Sequence, residues 1–241
     1  MNLPNGIKAI FFDLDGTLRQ SVPSADEIMN EFLRGQGVNI NQHDHLLGMR
    51  WEYSYWADSP DLREDIIAHS MDTDKFWVEY TKRRLLALKL SMEQSTELAP
   101  KVSLHMAEMY KPESIVPEDV QRVLPKLKQA GYMMAVISNR DKPFQETLDS
   151  HGLSEFFDFS LAGGEVDIYK PDPGIFEHAL RRANIRARET VYVGDNYFAD
   201  VIGARRAGLH PVLVDPNGIF ADADCTKIKS FDELLSVIEV I

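Results

Sequence analysis

The sequence predicts an α/β fold: a Rossmann-like parallel sheet of about five strands flanked by helices, joined to an all-helical cap domain. Two observations carry this. Short runs of β-forming apolar residues recur in the first twenty residues and the second half of the chain, each giving way abruptly to polar or acidic residues. Strands buried on both faces of a parallel sheet behave this way, delivering polar groups at their carboxyl ends. From Ser24 to Glu113, by contrast, apolar residues recur only at helical spacing. A core is therefore expected over 1–20 and 114–241, and a helical domain over 21–113.

The first strand is Ala9 to Phe12, followed by Asp13-Leu14-Asp15-Gly16-Thr17-Leu18. Asp-x-Asp-Gly is a common turn composition. Two carboxylates this close at a buried strand end also repel, which favours a cation between them. One can then attack an electrophile while the other manages a proton, and a hard divalent ion such as magnesium suits oxygen ligands.

In the helical segment, Ser24 with Asp26 and Glu27 reads as an N-cap and acidic first turn, and Gly35 and Gly37 as a stop. Ile28, Phe32 and Leu33, then Phe76, Val78, Leu85, Leu86 and Leu88, then Leu98, Val102, Leu104, Met106 and Met109, mark apolar helix faces. Trp51, Tyr53, Tyr55, Trp56 and Trp77 read first as core packing; the alternative is that Met49, Arg50, Trp51 and Tyr55 face a cleft and select a substrate. His43 and His45 lie in a polar run without a third ligand, which predicts a solvated loop rather than a metal pair. Lys82-Arg83-Arg84 reads as a solvated helix face.

Strand and helix alternate again after Pro112. A helix is expected from Pro117 to Ala130, then a strand from Met133 to Ile137 ending in Ser138-Asn139. A hydroxyl and an amide there suit phosphoryl oxygens, and both also suit the cap of a helix from about Lys142 to His151. A strand from Phe156 to Leu161 follows. Pro171 then holds Lys170 out of the helix that Asp172 and Pro173 begin. Val191 to Val193 ends in Gly194-Asp195, with Asp200 five residues on. His210 to Val214 is the fifth strand, and Phe231 to Val240 a closing helix.

The four polar strand ends together resemble the motifs of the haloacid dehalogenase superfamily. Asp13-x-Asp15-Gly16-Thr17 is similar to its first motif, Ser138 to the second, Lys170-Pro171-x-Pro173 to the third, and Gly194-Asp195 with Asp200 to the fourth. The resemblance covers roughly residues 6–18 and 114–241, and implies a phosphatase with a helical cap between the first and second motifs. It implies Asp13 as nucleophile and Asp15 as general acid and base. Magnesium would be held by Asp13, the carbonyl of Asp15, and Asp195. Ser138, Asn139, Lys170 and the Gly16–Thr17 loop would bind the phosphoryl group, with Asp200 supporting. The expected substrate is a small phosphorylated metabolite. A sugar phosphomutase of the same fold is the alternative, and a binding protein without turnover is disfavoured because every motif is intact. Dehalogenases of the superfamily lack an acid at the position of Asp15.

Composition narrows the rest. The 241 residues carry a formal net charge of −12 with 44% hydrophobic and 27% charged residues, which argues against a general nucleic-acid binder. No apolar stretch approaches the ~20 residues needed to span a bilayer. With no secretory-type segment near the start, a cytoplasmic location is expected. Cys225 is the single cysteine, so no internal disulfide or thiolate zinc site forms. Nothing in the sequence reports oligomeric state.

Overall fold

Ala9, Ile10, Phe11 and Phe12 are all fully buried because both faces of the strand they form are covered. The computed structural model describes residues 6–238. Along the chain, β1 (Ala9–Phe12) leads to β2 (Gln20–Val22) and then to helices α1 (Ala25–Gly35), α2 (Gln42–Tyr55), α3 (Pro60–His69), α4 (Asp74–Ala87) and α5 (Met92–Met109). After β3 (Glu113–Ile115) come α6 (Glu118–Gln129), β4 (Met133–Ser138), α7 (Gln145–Ser150), β5 (Phe159–Ala162), α8 (Gly163–Val166) and α9 (Pro173–Ala183). The chain ends with β6 (Thr190–Gly194), α10 (Ile202–Arg206), β7 (His210–Val214), β8 (Thr226–Ile228) and α11 (Phe231–Val237). Two units result: one runs up to Gln20 and resumes at Ile115, and the other is Ser21–Ser114. Strands β2 and β3, at the boundary, pair with each other.

In the first unit, six strands among the described residues form one sheet in the order β5-β4-β1-β6-β7-β8, all parallel. Alternation along β1 splits its side chains between two cores. Ile10 and Phe12 pack with Val120, Val123 and Leu127 of α6 and Phe231 and Leu234 of α11. Ala9 and Phe11 pack with Ile175, Phe176 and Ala179 of α9 and Ala204 of α10. Neighbouring β1 and β6 therefore connect onward through helices on opposite faces. Their carboxyl ends border a crevice at the point where the winding reverses, which is where open α/β sheets bind ligands.

Several boundaries depart from expectation. The sheet has a sixth strand, Thr226–Ile228, with a sequence too short and polar to read as one; it is held by its register with β7, Val212 opposite Thr226. The strand expected from Phe156 starts at Phe159, since Ser154–Phe156 is a 3-10 turn. The helix expected from Lys142 starts at Gln145 with no side-chain cap, so Ser138 and Asn139 do not cap it. Helix α11 ends at Val237, and Val240 lies outside the described residues. No helix among the described residues is long and apolar enough to cross a membrane.

The second unit has two cores. Met29, Leu33, Leu85, Leu88, Leu98 and Val102 form one; Tyr55, Leu62, Phe76 and Tyr80, with Trp51 and Trp56 against them, form the other. Helix α1 starts with a capping box between Ser24 and Glu27. Two readings are corrected here. His43 and His45 lie in the first turns of α2, capped by Asn41 rather than looped, and His45 Nε2 sits 2.7 Å from Asp26 Oδ2. The Lys82-Arg83-Arg84 run is not uniformly solvated: Arg84 is buried and pairs with Asp26 at 3.0 Å and Glu52 at 2.9 Å. Helical periodicity sets Arg84 on the face of Tyr80, whose hydroxyl donates to the same Glu52 at 2.6 Å. A cavity of about 410 Å³ lies within this unit, lined among others by Met29, Trp56, Trp77, Tyr80, Arg84 and Met106.

Candidate active site

Groups carried by three strands, β1, β4 and β6, converge on one lysine. Asp13 continues β1, its amide donating to the Val193 carbonyl of β6 at 2.9 Å, so its side chain emerges one step past the paired strands. Lys170 precedes α9, whose N-cap Asp172 accepts from Gly174 N. Its Nζ donates to Asp13 Oδ1 at 2.6 Å, to Asp200 Oδ1 at 2.7 Å and to Tyr192 Oη at 3.0 Å. Lys170, Asp13 and Asp200 are only 3%, 6% and 1% exposed, so this cluster is held away from water. Asp195 follows β6, and carboxylate oxygens of Asp13, Asp195 and Asp200 lie within 4.8 Å of one another.

Glycines make this approach possible. Gly16 has φ +92°, and a Cβ there would sit 2.3 Å from Asp195 Oδ2. A Cβ on Gly194 would sit 2.4 Å from Asp200 Oδ2. Both carboxylates occupy space that any side chain would fill.

The residues expected to bind substrate lie around this cluster. Ser138 ends β4, beside β1, and is buried. Asn139 is turned to Lys170 instead: it accepts from Lys170 N at 2.6 Å and donates to Lys170 O at 2.9 Å. Its amide fixes the backbone that carries the lysine. Thr17 donates its hydroxyl to Asp195 Oδ1 at 3.1 Å, and the Gly16 amide donates to Arg19 O at 2.8 Å. These three groups make bonds within the protein that shape the site.

Three residues of the site were not foreseen. Tyr192, fully buried in β6, steadies Lys170 and donates to Ile137 O at 3.1 Å; a phenol inside an apolar strand was the available signal. Arg140 grips Asp15 through Nε and Nη2 at 2.8 and 2.9 Å, and Arg19 also contacts Asp15 Oδ1. The arginine directly after Ser138-Asn139 was the only hint of the former. Tyr192→Phe strands the Ile137 carbonyl and removes one lysine contact. It is expected to lower unfolding free energy by about 1–2 kcal/mol, measured by urea denaturation.

Charge is unbalanced by design of the cluster. Burial pushes the Asp13 carboxyl up to about 7, against the pull of Lys170, with Asp200 adding to the rise. Burial and then Asp13 push Asp195 well above the carboxylate range. Burial works against the Lys170 charge, but Asp13 and Asp200 hold it well above its usual value. Asp15 behaves oppositely: burial raises it, and Arg140 and Arg19 more than offset this, holding it below its ordinary value. One ammonium thus faces three carboxylates.

A family model described as haloacid dehalogenase-like hydrolase matches residues 7–208. The chain belongs to that family. This haloacid dehalogenase-like hydrolase is 30% identical over 230 residues to a phosphoserine phosphatase of Thermus thermophilus, covering 87% of this chain and 89% of the relative. It is 29% identical over 234 residues to a glyceraldehyde 3-phosphate phosphatase of Methanothermobacter thermautotrophicus, covering 94% and 93%. Among solved structures, a 2-haloacid dehalogenase from Pseudomonas syringae pv. Tomato DC3000 aligns with TM-score 0.54 and 25% identity over 97% of this chain and 98% of that one. Phosphatases and a dehalogenase thus share this fold.

Proposed function

We propose that this hydrolase is a magnesium-dependent phosphatase that cleaves a small phosphorylated metabolite through an aspartyl-phosphate on Asp13. The observation that carries this reading is the pairing of a buried Asp13 beside Lys170 with a second carboxylate, Asp15, two residues on and 40% exposed. A halide leaves without a proton, whereas an alkoxide needs one, so the second acid favours ester cleavage over dehalogenation. Phosphatases among the relatives support the same choice.

In the first half-reaction a carboxylate oxygen of Asp13 attacks phosphorus, the bond to the ester oxygen breaks, and Asp15 gives that oxygen its proton. In the second, Asp15 takes a proton from water as the water attacks the same phosphorus, which frees phosphate and restores Asp13. The Ser138 hydroxyl holds a phosphoryl oxygen and the Lys170 charge balances the nucleophile and the phosphoryl group; Asn139 and Asp200 keep the lysine in place. The donor set fits a hard divalent ion: it is all oxygen, and two carboxylates, Asp13 and Asp195, have less cationic charge nearby than burial demands. Magnesium held by Asp13, Asp195 and the Asp15 carbonyl would supply charge neutralisation for the phosphoryl oxygens.

The test is phosphate release from an aryl phosphate with and without the metal. Turnover is expected to fall at least about a hundredfold when the protein is stripped with a chelator, and to return when magnesium is restored. Release that is indifferent to chelation would overturn the metal requirement, and no release from the aryl ester or from a panel of metabolite esters would overturn the phosphatase reading.

A further inference from the structure

We infer that Arg140 is a subsite for a carboxylate on the leaving group, so that the preferred substrates are phosphate monoesters bearing a carboxylate within a few bonds of the ester oxygen. The inference rests on the phosphatase reading for the role of Asp15. As the structure stands, that residue is engaged elsewhere: Nε and Nη2 of Arg140 hold both its oxygens in a two-pronged pair at 2.8 and 2.9 Å. A group one hydrogen bond from the residue that protonates the ester oxygen lies beside the path of whatever that oxygen carries.

Arg140 is built as a receptor rather than left as a loose surface cation. Its Nη1 donates to Thr147 Oγ1 of α7 at 3.0 Å, and its guanidinium carbon lies 5.9 Å from the ring centroid of buried Phe144. Its own carbonyl accepts from Gly164 N at 3.1 Å. The guanidinium is thus anchored to the start of α7 and the Arg140 backbone to α8, while the side chain is still 30% exposed. A guanidinium has five N–H donors, and the contacts above occupy three. The planar fork matches a carboxylate in two-point geometry, and Asp15 now occupies that fork as such a carboxylate. A carboxylate on the substrate is the same chemical group. By taking the fork it releases Asp15 toward the ester oxygen, so recognition and readiness for proton transfer become one event. Arg19, also on Asp15, keeps a second cation at the mouth of a chain whose net charge is −12.

The discriminating pair is 3-phosphoglycerate and glycerol 3-phosphate, the same three-carbon ester with a carboxylate or a hydroxymethyl group. Wild type is expected to favour the former in kcat/KM by about tenfold or more. In Arg140→Gln the ratio should fall to within about twofold of unity, and Arg140→Lys should keep part of it. A wild type without preference, or an Arg140→Gln variant that slows both esters by one common factor, would overturn the subsite and leave Arg140 as a positioning residue for Asp15. Calorimetric binding to Asp13→Asn, with and without Arg140→Gln, reads the same preference without turnover. If binding discriminates and the wild type releases no phosphate from either ester, from the aryl ester or from the metabolite panel, the subsite stands and the phosphatase reading falls; equal binding of both esters rejects the subsite.

Discussion

Asp13→Asn is expected to reduce phosphate release by at least about a thousandfold while leaving the protein folded. The amide keeps the size and the hydrogen-bonding reach of the carboxylate, but it is a poor nucleophile and cannot form the acyl phosphate. The fold should tolerate the change because Lys170 keeps Asp200 at 2.7 Å and Tyr192 at 3.0 Å, and because the substitution removes one of three crowded carboxylates. Parallel assays of phosphate release and of melting temperature check both halves. A variant with more than about one hundredth of wild-type turnover would remove Asp13 from the nucleophile's role.

Lys170→Met should show the largest effect on stability. The lysine is 3% exposed and neutralises Asp13 and Asp200, which are exposed by 6% and 1%. Breaking a buried ion pair by deleting one partner leaves charge without compensation, at about 3–5 kcal/mol. Denaturant titration without metal is expected to reveal that loss. Added magnesium should recover part of it, since a cation near Asp13 and Asp195 relieves the same repulsion. Activity should stay at least about a hundredfold down even with magnesium, because the ammonium that balances the phosphoryl charge is gone. Stability equal to wild type in the metal-free state would contradict the electrostatic account of the cluster.

What could be read from sequence was set by period and by abruptness. Runs such as Ala9–Phe12 and Met133–Ser138 are apolar because both faces of the sheet are covered, and the polar residues that end them stand out against that background. The helical insertion was visible through its spacing. Other features leave no one-dimensional trace. Strand β8 is three residues, Thr-Lys-Ile, and exists through its neighbour's backbone. The partners of Asn139 and Thr17 lie 31 and 178 residues away, so a motif that names these residues cannot say whether they face a ligand or the protein. Arg140 carries no period at all, and its meaning comes from meeting Asp15 across 125 residues. Arg84 was misread for the same reason: its partners, Asp26 and Glu52, lie on other helices.

The discontinuity of the first unit bears on how the chain is made. Strand β1 leaves the ribosome before β4 and β6, its neighbours in the sheet, and Phe12 sits opposite Val193. At ~5–20 residues per second, the stretch from Phe12 to Val193 takes about 10–35 s to synthesise. Ser21–Ser114, whose helices contact one another locally, is complete well before then and should fold first. Meanwhile Ala-Ile-Phe-Phe waits without its sheet, an exposed apolar β segment during translation. Chaperone demand should therefore concentrate on the nascent β1 segment, and the carboxylates of the site meet only when the segment carrying Asp195 and Asp200 arrives.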